Sequence, residues 1–208
     1  MAGSTQEPSP LDLTDVRVRR TWSRLSEAVV RLAAERPVEE VAVADLVRAA
    51  GVNRSTFYKH APSPAEVLKR VLYADLDRLR ADWIAETEAV GPLPESWQGA
   101  TTALAEHVLR YEAVYTAGLV GQRSPVLQQL LVEHLRTSVR VYVARDPEVL
   151  PAGAGPVEWR TDAWSRFVAH GQVGVMEAWL SLRGERDVAL FVEAVEAVLP
   201  AWISPRRG

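Results

Sequence analysis

Cysteine is absent from the 208 residues, which excludes disulfides, thiolate metal sites and thiol catalysis and suits a reducing compartment. Lysine is nearly as scarce, with two against twenty-two arginines, a bias read here as genome composition more than function. No apolar run approaches the ~18 to 20 residues of a membrane-spanning helix. The N-terminus lacks a signal-peptide apolar core, so a cytoplasmic chain is expected. Strand-type alternation is missing and nothing repeats at a fixed period. Also missing are a phosphate-cradling glycine loop, a histidine pair at ligand spacing and a serine elbow. No enzyme activity, metal site or cofactor is therefore expected, and the carboxylate pair Glu193 and Glu196 is read as the solvated edge of a helix.

What is present is helical. Hydrophobic residues make up 48% of the chain, enough for the core of one large domain or two small ones. The formal net charge of −3 argues against a nucleic-acid partner until it is divided along the chain. Residues 17–70 carry eleven Lys/Arg against six Asp/Glu, whereas residues 1–16 carry a net −3 and residues 71–208 a net −5. The cationic footprint is thus local.

Within the cationic part, Ala44, Asp45, Leu46, Val47, Arg48, Ala49 and Ala50 read as a short amphipathic helix. Gly51 can end it in a left-handed conformation, and Asn53 is placed to cap a second helix. In that second helix Val52 and Phe57 are the apolar anchors. Arg54, Ser55, Thr56, Tyr58, Lys59 and His60 are left as hydrogen-bonding and stacking groups on its remaining surface. Helix, glycine turn and polar helix together read as a helix-turn-helix.

Residues 16–70 resemble the DNA-binding domain of the tetracycline-repressor (TetR) family. The run Ala49-Ala50-Gly51-Val52-Asn53-Arg54-Ser55-Thr56-Phe57-Tyr58-Lys59-His60 falls where that family carries its second and third helices, and its ending from Thr56 is the specific part. The resemblance implies that Arg54, Ser55 and Lys59 approach base edges in the major groove while Thr56, Tyr58 and His60 lie on phosphates. Two positions depart from the family pattern. Ala42 stands where a Ser or Thr cap is common, and Pro64 replaces a lysine that contacts phosphate, a role left to Lys59 or Lys69.

The expected organisation is a flexible arm over residues 1–15, a helix-turn-helix domain over 16–62 and a helical effector-binding and dimerisation domain over 63–208. The fold class is all-α. In the first helix Val18, Trp22, Leu25, Val29 and Leu32 form an apolar stripe. Arg17, Arg20, Arg24 and Arg31 share another side, facing phosphates or water. Ser63, Pro64 and Glu66 read as a capping box with proline at the first helical position. The long helix that follows has Leu68, Leu72, Leu76, Leu79 and Trp83 on one face. Ser124 and Pro125 restart a helix after a break at 118–121.

The last two helices are apolar on two faces each. Trp164, Phe167, Gly171, Val175, Ala178 and Leu182 lie opposite Ala169, Val173, Met176 and Leu180. In the final helix, expected over 187–202, Val188, Val192, Val195, Leu199 and Trp202 lie opposite Leu190, Ala194, Ala197 and Ala201. A helix apolar on two faces needs two neighbours, and a second copy of the chain is the simplest second neighbour. The resemblance implies the same, because TetR-like proteins dimerise through their last two long helices. The candidate interface is Phe167, Gly171, Gly174, Ala178, Ala194, Ala197 and Ala201.

The resemblance further implies an unidentified small-molecule effector. Trp83, His107, Tyr111, Tyr115, His134 and Trp164, with Trp97 and Tyr142, are the candidates for its pocket, although each taken singly reads as ordinary core. The functional expectation is a sequence-specific regulator of transcription, a repressor released by effector from a palindromic double-stranded operator. The alternative is a TetR-like interaction module without a small-molecule effector.

Overall fold

The computed structural model describes residues 10–90, 94–145, 147–150 and 152–199. They are helical, with no strand among them. Helix α1 (Pro10–Ala33) begins earlier than the apolar stripe suggests. Proline suits a first helical position, where its missing N–H would have no partner in any case. Helix α1 therefore takes in residues 10–15 of the expected arm, and residues 1–9 lie outside the described set. Leu25, Ala28, Val29 and Ala33 are buried on α1, whereas Val18, expected inside, is exposed. The stripe meets the core only from Trp22 onward.

A 3₁₀ turn (Val38–Glu40) leads to α2 (Val43–Ala50) and α3 (Arg54–His60). Gly51 closes α2 at φ 63°. The amide of Val52 donates to the Val47 carbonyl at 3.0 Å and that of Gly51 to Arg48 at 3.3 Å, the paired bonds of a Schellman ending. Ala42 offers α2 no side-chain cap. Asp45 in its first turn compensates by facing the positive end of the helix dipole, and is itself held by Arg36 at 2.9 Å and Arg48 at 2.7 Å.

Helix α4 (Pro64–Val90) buries Leu68, Leu72 and Leu76 completely and packs against α1 and the 3₁₀ turn on one side and the later helices on the other. Ser63 Oγ accepts from the Glu66 amide at 3.2 Å. The Glu66 carboxylate faces Lys69 and Arg70, each at 3.6 Å, and does not complete the reciprocal half of the expected box. Helix α5 (Pro94–Arg110) and the single turn α6 (Glu112–Tyr115) run into a π-helical turn (Thr116–Gly121), and α7 (Pro125–Arg145) follows. Ser124 Oγ caps α7 by accepting from the Leu127 amide at 3.2 Å.

Helices α8 (Val157–Leu180) and α9 (Val188–Val198) complete the body, with α8 packed along α7 and α9 against α5. Asp162 on α8 pairs with Arg136 of α7 at 3.2 Å and with Arg166 at 2.8 Å. The Arg166 hydrogen bond holds the Asp162 carboxyl below its ordinary pKa. Helix α9 stops at Val198, short of the expected 202, because Leu199 is extended (φ −69°, ψ 140°). The residue before a proline is driven out of the helical region, and Pro200 follows. Ala201 and Trp202 lie outside the described residues.

Candidate nucleic-acid interface and effector cavity

The surface of α3 follows from a single buried anchor. Phe57 is fully buried, which fixes the rotation of this short helix and turns Arg54, Ser55, Tyr58 and Lys59 to solvent, with Thr56 and His60 half-buried beside them. Asn53 Oδ1 accepts from the Thr56 amide at 2.7 Å and from Ser55 Oγ at 2.9 Å, so the start of the helix is closed by its own cap. Arg54 donates to the Tyr58 hydroxyl at 3.2 Å and lies 5.7 Å from its ring centroid. Tyr58 remains 50% exposed. The helix carries no acidic side chain, so nothing on it repels a phosphate backbone.

Two arginines brace this unit from behind. Arg70 of α4 donates to the His60 carbonyl at 2.8 Å and lies 5.8 Å from the Trp22 ring centroid, joining the end of α3 to α4 and α1. Arg31 reaches the Ala49 carbonyl at 3.5 Å, while Arg17, Arg20 and Arg24 of the same helix are exposed. Lys69 pairs with Glu66, whereas Lys59 on α3 is exposed.

The expected pocket residues divide into separate groups. Trp83 and His134 share a cavity of about 50 Å³ with Leu79, Arg80, Trp97, Thr101, Leu104, Ser138 and Gln172. Trp83, Trp97 and Tyr142 pack as a ring cluster, with centroid separations of 5.8 to 6.4 Å. Arg80 donates to Ser138 Oγ at 3.1 Å and to His134 Nδ1 at 2.6 Å. Burial, reinforced by the Arg80 charge, lowers the His134 pKa to about 3.

His107, Tyr111 and Tyr115 form a second group. His107 Nε2 lies 2.8 Å from the Tyr115 hydroxyl, and Tyr111 donates to Asp75 at 2.8 Å. Burial lowers His107 to about 4, and burial with the Asp75 hydrogen bond raises Tyr111 to about 12. Burial also pushes Tyr115 up. Trp164 belongs to neither group. It packs edge-on to Phe167 at 5.8 Å and is partly buried against the core. Among the described residues no cluster of three or more His, Asp or Glu side chains could hold a metal.

Arg80, Ser138 and Gln172 were not legible as site residues in the sequence. Their signal was present as polar side chains interrupting apolar helix faces. Arg80 sits between Leu76, Leu79 and Trp83, and Gln172 between Val168, Ala169 and Val173.

The interface candidates on α8 and α9 divide as their two-faced pattern requires. Ala169, Val173, Met176, Val192 and Val195 are buried. Phe167, Gly171, Gly174, Ala178 and Ala197 face outward, with Ala194 half-buried. Phe167 is 60% exposed, and Gly171, Gly174, Ala178 and Val198 line a groove of about 350 Å³ beside it. A Cβ on Gly171 or Gly174 would meet nothing within 4 Å. The described helices include none long and apolar enough to cross a membrane.

Residues 25–71 match the family model described as bacterial regulatory proteins, tetR family. No curated protein matches the chain. Among solved structures, a TetR transcriptional regulator from Streptococcus agalactiae 2603V is similar at 18% identity. It covers 89% of this chain and 97% of its own, with a TM-score of 0.63. Thermus thermophilus FadR, a TetR-family transcriptional repressor in complex with lauroyl-CoA, is 22% identical and covers 90% and 99%, with a TM-score of 0.60. RolR in complex with resorcinol is 17% identical, covering 89% and 98% with a TM-score of 0.52. Residues 25–71 thus carry the tetR-family match, and the helical fold along nearly the whole chain is the one these solved TetR-family structures share.

Proposed function

We propose that the protein is a homodimeric, sequence-specific DNA-binding repressor, released from a palindromic operator by a small molecule bound in its body. The observation that carries DNA binding is α3 itself, a helix anchored by Phe57 that turns Arg54, Ser55, Tyr58 and Lys59 outward with no acid among them. Arg54, Ser55 and Lys59 read base edges, and Thr56, Tyr58 and His60 set the register on phosphates. Residues 16–62 act as the reading head and 63–208 as the effector-binding and dimerising body. Two heads held about one DNA turn or a small multiple apart give a palindromic site. The outward apolar face of α8 and α9 supports pairing of two copies there.

Release requires an effector that binds the operator-competent and operator-incompetent dimers with different affinity. The similar structures that hold lauroyl-CoA and resorcinol support a ligand in the body. One observation favours the alternative of a module without a small-molecule effector, namely that the cavity measures about 50 Å³, whereas about 150 Å³ holds benzene.

Selection of bound sites from random duplex DNA with the purified chain tests the first part. A palindrome is the expected result, and an absence of enriched sequence would overturn sequence-specific reading. Operator titrations across a metabolite screen test the second part. Unchanged operator affinity throughout, with the dimer intact, would leave the alternative.

A further inference from the structure

The cavity between α4, α5, α7 and α8 has a chemical bias of its own. Arg80 is the one charged side chain lining it among the described residues. Its partner Asp77, at 3.0 Å, is 55% exposed, where water screens it. Arg80 spends Nε on Ser138 Oγ, one Nη1 hydrogen on Asp77, and Nη2 on the Nδ1 and carbonyl oxygen of His134. One Nη1 hydrogen is left over.

Arginine can only donate, so His134 Nδ1 accepts and its proton sits on Nε2. Gln172 is 4% exposed and lines the same cavity, its amide adding further N–H donors. Three sets of N–H donors and one positive charge therefore line a space otherwise walled by Leu79, Trp83, Trp97 and Leu104.

We propose that this cavity binds a short-chain aliphatic monocarboxylate, its carboxylate received by Arg80, His134 and Gln172 and its chain resting on Trp83, Trp97 and Leu104. Charge sets the ligand's sign, because an amine would meet Arg80 with like charge and an amide would leave its charge unanswered. Size sets the chain length, since a cavity of about 50 Å³ is well below the ~150 Å³ that holds benzene. The assignment rests on the reading of the body as an effector-binding domain.

Calorimetric titration of the full-length protein with propionate, propionamide, propylamine and benzoate tests it. Propionate is expected to bind saturably, benzoate more weakly, and the amide and amine not at all. Arg80→Met should abolish propionate binding. Because Arg80 also ties α4 to α7, Gln172→Leu serves as a second variant, with propionate expected to bind about tenfold more weakly. Equal binding of propionamide, tighter binding of benzoate, no propionate binding at millimolar concentration, or undiminished affinity in Gln172→Leu would overturn the assignment. Operator affinity measured alongside separates the two readings. Propionate that binds without changing it leaves the carboxylate site standing and removes the effector role. Release of operator by a different ligand, with no propionate bound, overturns the carboxylate class and leaves the regulator.

Discussion

On α3, the Arg54 guanidinium is held against Tyr58 in the free chain. A side chain held extended loses less conformational freedom on binding than one recruited from solution. Tyr58→Ala therefore removes both a contact and this support. Tyr58→Ala and Lys59→Ala are each expected to weaken operator binding by about 1–3 kcal/mol in fluorescence anisotropy, with the dimer unchanged in sedimentation. The buried histidines make a second residue-scale prediction. An unfolded imidazole takes up a proton near 6.5, but His107 in the fold does so only at about 4 and His134 at about 3. Below pH 6.5 the unfolded chain thus binds more protons, so stability falls as pH drops from 6.5 toward 4. Denaturant unfolding at pH 7 and pH 5 should differ by about 2 kcal/mol for each histidine, and His107→Gln should remove its share of that dependence.

Between elements, Glu39 ties the 3₁₀ turn to α7. Its carboxylate accepts from Ser124 Oγ at 2.9 Å and from the Val126 amide at 2.9 Å, so a side chain from the 3₁₀ turn closes the N-terminus of α7. Glu39→Ala is expected to cost about 1–2 kcal/mol of stability and to speed hydrogen exchange at the Val126 amide, read by NMR. Nothing in the sequence near Glu39 announces this bond, because its partners lie 85 and 87 residues away. Local signals were far more legible. Gly51, Asn53, Ser63 and Ser124 each act within a few residues of themselves, and all four end or start a helix where the sequence predicts. Periodicity identified the two-faced α8 and α9 for the same reason. It overreached at Val18, where the stripe continues past the end of the core, and at the end of α9, where it ignored Pro200. The cavity lining is legible only in part, since the aromatic Trp83 and Trp97 stand out in the sequence while the polar interruptions Arg80 and Gln172 carry no periodic signal.

Taken as a whole, the molecule presents a cationic N-terminal part, with α3 exposing Arg54, Ser55, Tyr58 and Lys59, and a body with an open apolar face. Phe167→Asp or Gly174→Arg on that face should yield a monomer in sedimentation. Either variant should then lose operator binding in anisotropy by more than tenfold, of the order expected when two linked sites become one, without touching α3. One side chain stands at the boundary of the two outer compartments. Gln172 lines both the cavity and the α8–α9 groove, two spaces separated by the thickness of a single helix. In a dimer joined across that groove, occupancy of the cavity and association of the subunits become thermodynamically linked, and such linkage is reciprocal. Ligand affinity then depends on protein concentration. Diluting the dimer through its dissociation constant shifts the apparent ligand constant, and with one cavity per subunit saturating ligand shifts dimerisation by the square of that per-site factor.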